Sequence, residues 1–245
     1  MSFEQNKYQK EIEKGIKLME EGKLNDAIKL FEKIKNNKNT EIIGLLFLGI
    51  SNIKKKNNEK AKNYFLNILE IDENYIDANL NLGLIFLQEK KYEVSLLYFE
   101  KVIKSDLNNF NAHYHKGLIL FQTKKYHDAT ICFKLCIKIN DKFIFSFFNL
   151  ANIFLRTKQY EKAIDYYKKF LNLSPNHVGS KFNLSQCYFG LLKYKDAFEY
   201  YEYRKENKII KDKIHNVQEQ LKSNEWEGQD LNKKKILIIG EQGIG

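Results

Sequence analysis

The chain has 245 residues, of which 43% are hydrophobic and 29% charged, a composition typical of a folded globular protein and not of a disordered one. One proline and 12 glycines are too few for the many turns of a β-sandwich or a β-barrel, so the composition favours long helices. The net charge of +10 comes from lysines interleaved with acidic residues, which indicates a solvated surface and argues against a nucleic-acid partner.

The N-terminal sequence MSFEQNKYQKEIEK lacks the apolar core of a signal peptide. No later segment approaches the ~20 apolar residues of a membrane-spanning helix, so we expect a cytoplasmic protein with no membrane partner. Residues 1–7 are expected to form a lead-in to the folded region.

Residue size recurs at intervals of 34 over most of the chain. One column holds the small residues Gly15, Gly49, Gly83, Gly117, Ala151 and Ser185. A second column holds Ala27, Ala61, Ser95, Ala129, Ala163 and Ala197, and a third holds the aromatic residues Phe31, Phe65, Phe99, Phe133, Tyr167 and Tyr201. Each unit predicts two amphipathic helices, such as DANLNLGLIFLQEK and EVSLLYFEKVIKSD, joined by a turn at Lys91 and Tyr92. We expect the small residues where the two helices cross, and the aromatic side chains filling the space towards the next pair.

This pattern resembles the tetratricopeptide repeat (TPR), whose unit is 34 residues long. The resemblance implies an all-α solenoid of six helix-turn-helix units. These units are residues 8–41, 42–75, 76–109, 110–143, 144–177 and 178–211. The proline that usually ends the second helix is present only as Pro175. Apolar residues at helical spacing after the sixth unit predict a capping helix over residues 212–224, which would cover the last apolar face.

The resemblance also implies that the first helices line a concave groove, into which the sixth position of each unit points. These positions hold Glu13, Phe47, Asn81, His115, Asn149 and Asn183. An asparagine amide both donates and accepts hydrogen bonds, so it suits a peptide backbone. The series is similar to the asparagine ladder of the repeats that precede O-linked N-acetylglucosamine transferase. The alternative is that these asparagines bond only to the neighbouring helix.

The candidate binding residues are therefore polar side chains on first helices, and the expected partner is a peptide or protein. They are Asn81, His115, Asn149, Asn152, Asn183 and Gln186. The accompanying apolar residues, which are also candidates for the core between repeats, are Leu80, Leu84, Tyr114, Leu118, Phe148 and Phe182. The stretch from Phe110 to His177 is the most strongly basic, so an acidic partner is expected to bind there.

Enzyme chemistry is not expected in residues 1–224, because no motif positions a Ser, His and Asp arrangement. The three cysteines Cys132, Cys136 and Cys187 are expected to be buried and reduced. A zinc site would have to recruit His113 and His115 and would need four converging ligands, so neither a metal nor a cofactor is expected.

Residues 225–245 are expected to be a linker followed by the first strand and the glycine-rich loop of a truncated α/β domain. In KILIIGEQGIG, Gly240, Gly243 and Gly245 follow an apolar strand, where glycine backbone amides can approach phosphate. One interpretation is a P-loop, G-x-x-x-x-G-K-[ST], whose Lys and Ser or Thr would be the next two residues. A second is that the tail is an ordinary buried strand whose glycines form a turn.

A third interpretation, which we favour, is a resemblance to bacterial proteins in which TPR units precede a glycosyltransferase-like domain. The pieces YYEYRKE, WEG, QDLNKKK and ILIIGEQGIG carry this resemblance in that order. The expected function is a protein-interaction scaffold that serves as the recognition region of such a protein. The alternatives are an adaptor with no catalytic domain and the N-terminal region of a P-loop NTPase. Neither activity is expected from this segment alone.

Overall fold

The computed structural model describes residues 3–206, which form α-helices and one short 3-10 helix and contain no strand. The helices are α1 (Phe3–Glu20), α2 (Leu24–Lys35), α3 (Glu41–Lys54), α4 (Asn58–Ile71), α5 (Ile76–Gln88), α6 (Tyr92–Ser105), α7 (Phe110–Gln122), α8 (Tyr126–Ile139), α9 (Phe145–Arg156), α10 (Tyr160–Leu173), α11 (Val178–Gly190) and α12 (Tyr194–Tyr201), followed by the 3-10 helix Glu202–Glu206. The predicted all-α repeat fold is confirmed for these residues. α1 begins inside the expected lead-in, and the predicted capping helix lies outside the described residues.

The chain divides into two compact units, and the division falls between Leu173 and Ser174. The first unit contains the helix pairs from α1 to α10, and the second contains α11, α12 and the 3-10 helix. Within the first unit, each even-numbered helix from α2 to α8 packs against its partner and against the first helix of the next pair. The surface formed by α1, α3, α5, α7 and α9 is termed the first-helix face, and that of the even-numbered helices the second-helix face.

Each pair in the first unit turns through one residue with a left-handed backbone. These residues are Gly22, Lys56, Lys90, Lys124 and Lys158, with φ between 57° and 76°. At Lys90, the backbone N–H donates to the carbonyl of Leu87 at 3.0 Å, and the next N–H donates to the carbonyl of Phe86 at 2.9 Å. This Schellman arrangement satisfies the last carbonyls of the helix and usually uses glycine. Four turns therefore place a lysine in a conformation that costs an L-residue about 1–2 kcal/mol.

The connections between pairs end the second helix without the expected proline. After α4, Asp72 Oδ1 accepts a hydrogen bond from the backbone N–H of Asn74 at 3.0 Å. Asp106 and Asn140 accept from the residue two positions later in the same way, both at 3.1 Å. Such turns compete with continuation of the helix. A short polar side chain therefore takes the role that proline usually has.

The periodic small residues lie where two helices approach closely. A Cβ atom added at Gly49 would lie 2.5 Å from Cε1 of Phe65, and one added at Gly83 would lie 2.7 Å from Cε1 of Phe99. The aromatic ring thus packs across the glycine of its own pair. It also reaches the next pair as expected, since Phe99 stacks on His115 with ring centroids 5.6 Å apart.

A further column of small residues was missed in the sequence analysis, although it has the same period. It contains the buried residues Gly44, Ala78, Ala112, Ser146 and Ser180. A Cβ atom added at Gly44 would lie 2.5 Å from the backbone nitrogen of Lys35. Within the first unit, this column therefore allows close approach between one pair and the next, and the same 34-residue alignment would have identified it.

Candidate peptide-binding face

The predicted binding residues of the first unit lie on its odd-numbered helices. Asn81 is on α5, His115 is on α7, and Asn149 and Asn152 are on α9. Asn149 Nδ2 donates a hydrogen bond to the Tyr114 hydroxyl at 3.4 Å. The fold therefore brings Asn149 on α9 beside the neighbouring residues Tyr114 and His115 on α7.

Asn81 and Asn149 each use one end of the amide inside the protein. Asn81 is half-buried, and its Nδ2 donates to the backbone carbonyl of Asp77 at 2.7 Å. Asn149 is 8% exposed and donates to Tyr114. Neither Oδ1 atom accepts a hydrogen bond from another residue within 3–206, so each keeps its acceptor capacity. Asn149 thus makes the bond to a neighbouring helix that was the alternative role of these asparagines, whereas Asn81 bonds within its own helix. Each of these bonds occupies only one end of the side chain.

His115 belongs to the repeat between those of Asn81 and Asn149, and its ring packs between two aromatic rings. The ring stacks on Phe99 and meets Tyr114 edge-on at 5.4 Å, with an interplanar angle of 70°. Its Nδ1 atom is buried and has no hydrogen-bond partner in the described part of the chain. Burial lowers the pKa of His115, because the charged imidazolium would lose its hydration. The ring is therefore neutral, and its unpartnered nitrogen lies beneath the protein surface, out of reach of a bound peptide.

An aromatic cluster that the sequence analysis did not assemble borders Tyr114. Phe143 meets the Tyr114 ring edge-on at 4.9 Å, and Phe110 stacks on it at 6.1 Å. Burial raises the pKa of Tyr114, so its hydroxyl stays protonated and can donate a hydrogen bond. Phe110 opens α7 and Phe143 lies in the loop before α9, outside the aligned columns. The aromatic run FIFSFF was the available signal.

Asn152 contacts the second helix of its own pair. Its Oδ1 accepts a hydrogen bond from the Tyr167 hydroxyl at 2.5 Å, which links α9 to α10. In the second unit, Asn183 is half-buried and Gln186 is exposed, both on α11. These two residues remain predicted contacts.

The cysteines and the histidines do not form a metal centre in the part of the chain that the structure describes. Within residues 3–206, no three His, Cys, Asp or Glu side chains converge in a way that could hold a metal ion. His113 Nε2 lies 2.9 Å from the carbonyl oxygen of Leu107. Cys132, Cys136 and Cys187 are buried free thiols, and burial raises the pKa of both Cys136 and Cys187 to about 12. These two thiols are therefore protonated at neutral pH and unreactive as nucleophiles.

Two other sequence predictions concern the glycine-rich loop and membrane-spanning helices. Gly240, Gly243 and Gly245, the predicted phosphate-binding glycines, lie outside the described residues. Across residues 3–206, the helices are either too short or too polar to cross a bilayer.

Comparisons with known proteins agree with the helical repeats. The model of the tetratricopeptide repeat protein 21 C-terminal ARM domain matches residues 3–181. No match to the sequence is found among the curated proteins.

Several solved structures share the fold at low sequence identity. PilF of Pseudomonas aeruginosa is 15% identical with a TM-score of 0.72, and the match covers 86% of this chain and 97% of PilF. YrrB, described as a TPR protein with an unusual peptide-binding site, is 15% identical with a TM-score of 0.66, covering 76% of this chain and 97% of YrrB. MamA is 19% identical with a TM-score of 0.62, covering 68% of this chain and 97% of MamA. Because the family model spans most of the chain and the fold agrees with it, the chain belongs to the family of the tetratricopeptide repeat protein 21 C-terminal ARM domain, a TPR-like repeat protein.

Proposed function

We propose that the chain is a protein-interaction scaffold whose first unit binds an extended peptide on the first-helix face of α5, α7 and α9. The observation that carries this proposal is the pair of unused acceptors on Asn81 and Asn149, with the neutral ring of His115 in the repeat between them. The two Oδ1 atoms would accept backbone N–H groups of the peptide. The cluster around Tyr114 would take an apolar or aromatic side chain.

The charge and geometry of these groups favour a peptide over a small charged ligand. Amides and aromatic rings contact a backbone without demanding one side chain, which is the requirement for a scaffold that recognises extended segments. YrrB, which shares this fold, is described as binding a peptide. Asn183 and Gln186 are proposed to serve the same purpose on α11.

A selected peptide tests the proposal. Peptides that bind the wild-type chain would be selected from a random dodecapeptide phage library and titrated by fluorescence anisotropy. Replacing Asn81 and Asn149 by Ala together removes both acceptors, and we expect at least about a fivefold loss of affinity, since each lost hydrogen bond contributes about 0.5–1.5 kcal/mol. Because each amide also makes one internal hydrogen bond, the variant should keep the helical signal of the folded wild type and lose no more than about 1–3 kcal/mol of stability.

The matched control replaces Asn63 and Asn67, two exposed asparagines on α4, by Ala. This variant should bind the selected peptide as the wild type does. Peptides that bind the Asn81 and Asn149 variant with unchanged affinity would contradict the proposed site.

We further propose, from the sequence resemblance alone, that these repeats are the recognition region of a larger glycosyltransferase-like protein. The ordered pieces WEG, QDLNKKK and ILIIGEQGIG support it. An adaptor without a catalytic domain and a P-loop NTPase are the alternatives. The codons after Gly245 distinguish them, because Asp is expected for the glycosyltransferase-like protein, Lys followed by Ser or Thr for the NTPase, and a stop codon for the adaptor. We expect neither ATP nor a sugar nucleotide to bind this segment alone, and saturable micromolar binding of either would contradict that expectation.

A further inference from the structure

A second groove lies on the opposite side of the first unit, between α8 and α10. It has a volume of about 730 Å³, within the range of ligand-binding clefts. Its lining includes Phe154 at the end of α9, Ile131 on α8 and Tyr166 on α10. The groove shares no residue with the proposed peptide site, so it is a separate surface.

The middle of this groove is apolar and accessible. Ile131 is 56% exposed, although it is a large aliphatic side chain. Phe154 stacks on Tyr166 with ring centroids 5.5 Å apart and an interplanar angle of 23°. Phe154 itself is 7% exposed, so an aliphatic side chain of a ligand would be buried mainly against Ile131 and Tyr166.

Three lysines border the apolar part of the groove, and their charges are not neutralised. Lys134, Lys162 and Lys169 line it, and none of them forms an ion pair with a carboxylate within residues 3–206. Lys162 Nζ instead donates to Gln159 Oε1 at 2.8 Å. Asp165 is the acidic residue of the lining. The groove therefore presents a net positive charge.

Lys62, a half-buried cation elsewhere on the second-helix face, is neutralised within the chain, unlike the lysines of the groove. Lys62 on α4 contacts Glu59 at 2.6 Å and Glu89 at 3.0 Å, so two carboxylates of the chain neutralise it. Residues 110–173 as a whole contain 11 Lys and Arg against 4 Asp and Glu. This local field would attract an anionic ligand to the groove and not to the earlier repeats.

The spacing of the lysines fits an extended chain. Lys162 and Lys169 are two helical turns apart on α10, a rise of about 10 Å. Alternate side chains of an extended peptide point to the same side, at roughly 3.3 Å per residue. Two carboxylates four residues apart, about 13 Å, would thus share one side and each reach one of the long, flexible lysine side chains. The side chain midway between them faces the same side and would lie over Ile131 and Tyr166.

We propose that this groove is a second docking site, which takes an acidic, aliphatic segment of a partner protein in extended form. The carboxylates of the segment contact Lys162 and Lys169, and its aliphatic side chain packs on Ile131 and Tyr166. The scaffold would then hold two protein segments on opposite faces. This site differs from the first in ligand charge, because the first offers amides and a neutral ring.

Three labelled octapeptides test the site by fluorescence anisotropy with the full chain at low salt. The acidic, aliphatic peptide EDLEDIEE should bind saturably, and its affinity should fall as salt is raised. The basic peptide KKLKKIKK should not bind. The peptide EDSEDSEE keeps the charge and lacks the aliphatic side chains, so it should bind at least about fivefold more weakly. If EDSEDSEE bound as tightly as EDLEDIEE, charge attraction alone would account for binding, and the proposal would be overturned.

Two lysine variants have the same net charge. Replacing Lys162 and Lys169 by Glu should weaken EDLEDIEE binding by about tenfold or more, because both charge contacts become repulsive. The control replaces Lys60 and Lys101 by Glu, which hold the equivalent positions in other repeats, and should change the affinity by less than about twofold. Equal losses in the two variants would overturn the proposal.

Further measurements test the apolar contact and the ligand class. Replacing the exposed Ile131 by Ser should weaken EDLEDIEE and leave EDSEDSEE unchanged. The Asn81 and Asn149 variant should bind EDLEDIEE normally, which separates this site from the proposed first site. Tighter binding of a single-stranded DNA octanucleotide with the same dependence on Lys162 and Lys169 would overturn the choice of an acidic peptide.

Discussion

Replacing Gly49 by Ala tests how the repeats pack. The new Cβ atom would lie 2.5 Å from Cε1 of Phe65, whereas an ordinary contact begins near 3.4 Å, so the ring must move by about 0.9 Å. Phe65 is fully buried in a cluster with Ala61 and Leu82, which leaves little room for that movement. Overpacking of this kind costs about 1–3 kcal/mol. Alanine regains about 1 kcal/mol of helix propensity. We therefore expect the free energy of unfolding to fall by up to about 2 kcal/mol.

Two equivalent glycines provide a graded series. The same added atom would lie 2.7 Å from Phe99 at Gly83 and 2.9 Å from Phe133 at Gly117. The loss of stability should therefore decrease from Gly49→Ala to Gly83→Ala, and Gly117→Ala should be close to neutral because its smaller clash is offset by helix propensity.

Urea unfolding followed by far-ultraviolet circular dichroism measures these changes. A double-mutant cycle with Phe65→Leu adds a direct test, since a smaller side chain should relieve part of the Gly49→Ala clash and give a favourable coupling energy. If Gly49→Ala instead raised the free energy of unfolding by about 1 kcal/mol, helix propensity alone would account for it and the packing argument would be refuted.

Four other substitutions probe the turns, the half-buried His115 and the link between α9 and α10. Lys124→Gly should raise the free energy of unfolding by about 0.5–1 kcal/mol in urea titrations, because it relieves the left-handed strain, whereas Lys125→Gly, at a φ of −79°, should lower it. The wild-type chain should lose stability as the pH falls below about 6.5 and through the lowered folded-state pKa of His115, since the unfolded chain binds that proton more readily. His115→Asn should reduce this pH dependence, and identical slopes between about pH 7.5 and pH 5.5 would contradict the assignment. Tyr167→Phe removes the hydrogen bond to Asn152 and should lower the thermal stability by an amount equivalent to about 1 kcal/mol; an unchanged melting temperature would show that the bond contributes nothing.

The helix pairs could be predicted because residue size repeats every 34 positions, and residue size is what determines how closely the two helices of a pair can pack. In every unit the small residue precedes the aromatic residue by 16 positions, as Gly49 precedes Phe65. The sizes of the two side chains alone identify them as partners where the two helices cross. The sequence also shows that the proline usual at the end of the second helix is absent from most units. It does not show which side chain ends the helix in its place. Asp72 ends α4 through a side-chain hydrogen bond to the backbone, which depends on its rotamer and not on its place in the repeat.

The candidate site could be predicted only in part, because residue type does not determine the partner of an amide. Asn81 and Asn152 are both asparagines on first helices. Asn81 donates within its own helix, whereas Asn152 accepts from Tyr167 on the next helix. These partners depend on how neighbouring helices are placed, which one sequence does not specify. The second groove was indicated only by the basic character of its segment, since its lining comes from three helices and belongs to no single column.

The location of a bound peptide tests the central claim most directly. A photoreactive amino acid would replace Asn111, which is exposed on α7 one turn before His115, or Leu97, which is exposed on α6. The selected dodecapeptide should crosslink from position 111 and not from position 97, and the crosslink should be lost when Asn81 and Asn149 are replaced by Ala. Equal crosslinking from both positions, or from position 97 alone, would contradict peptide binding on the first-helix face.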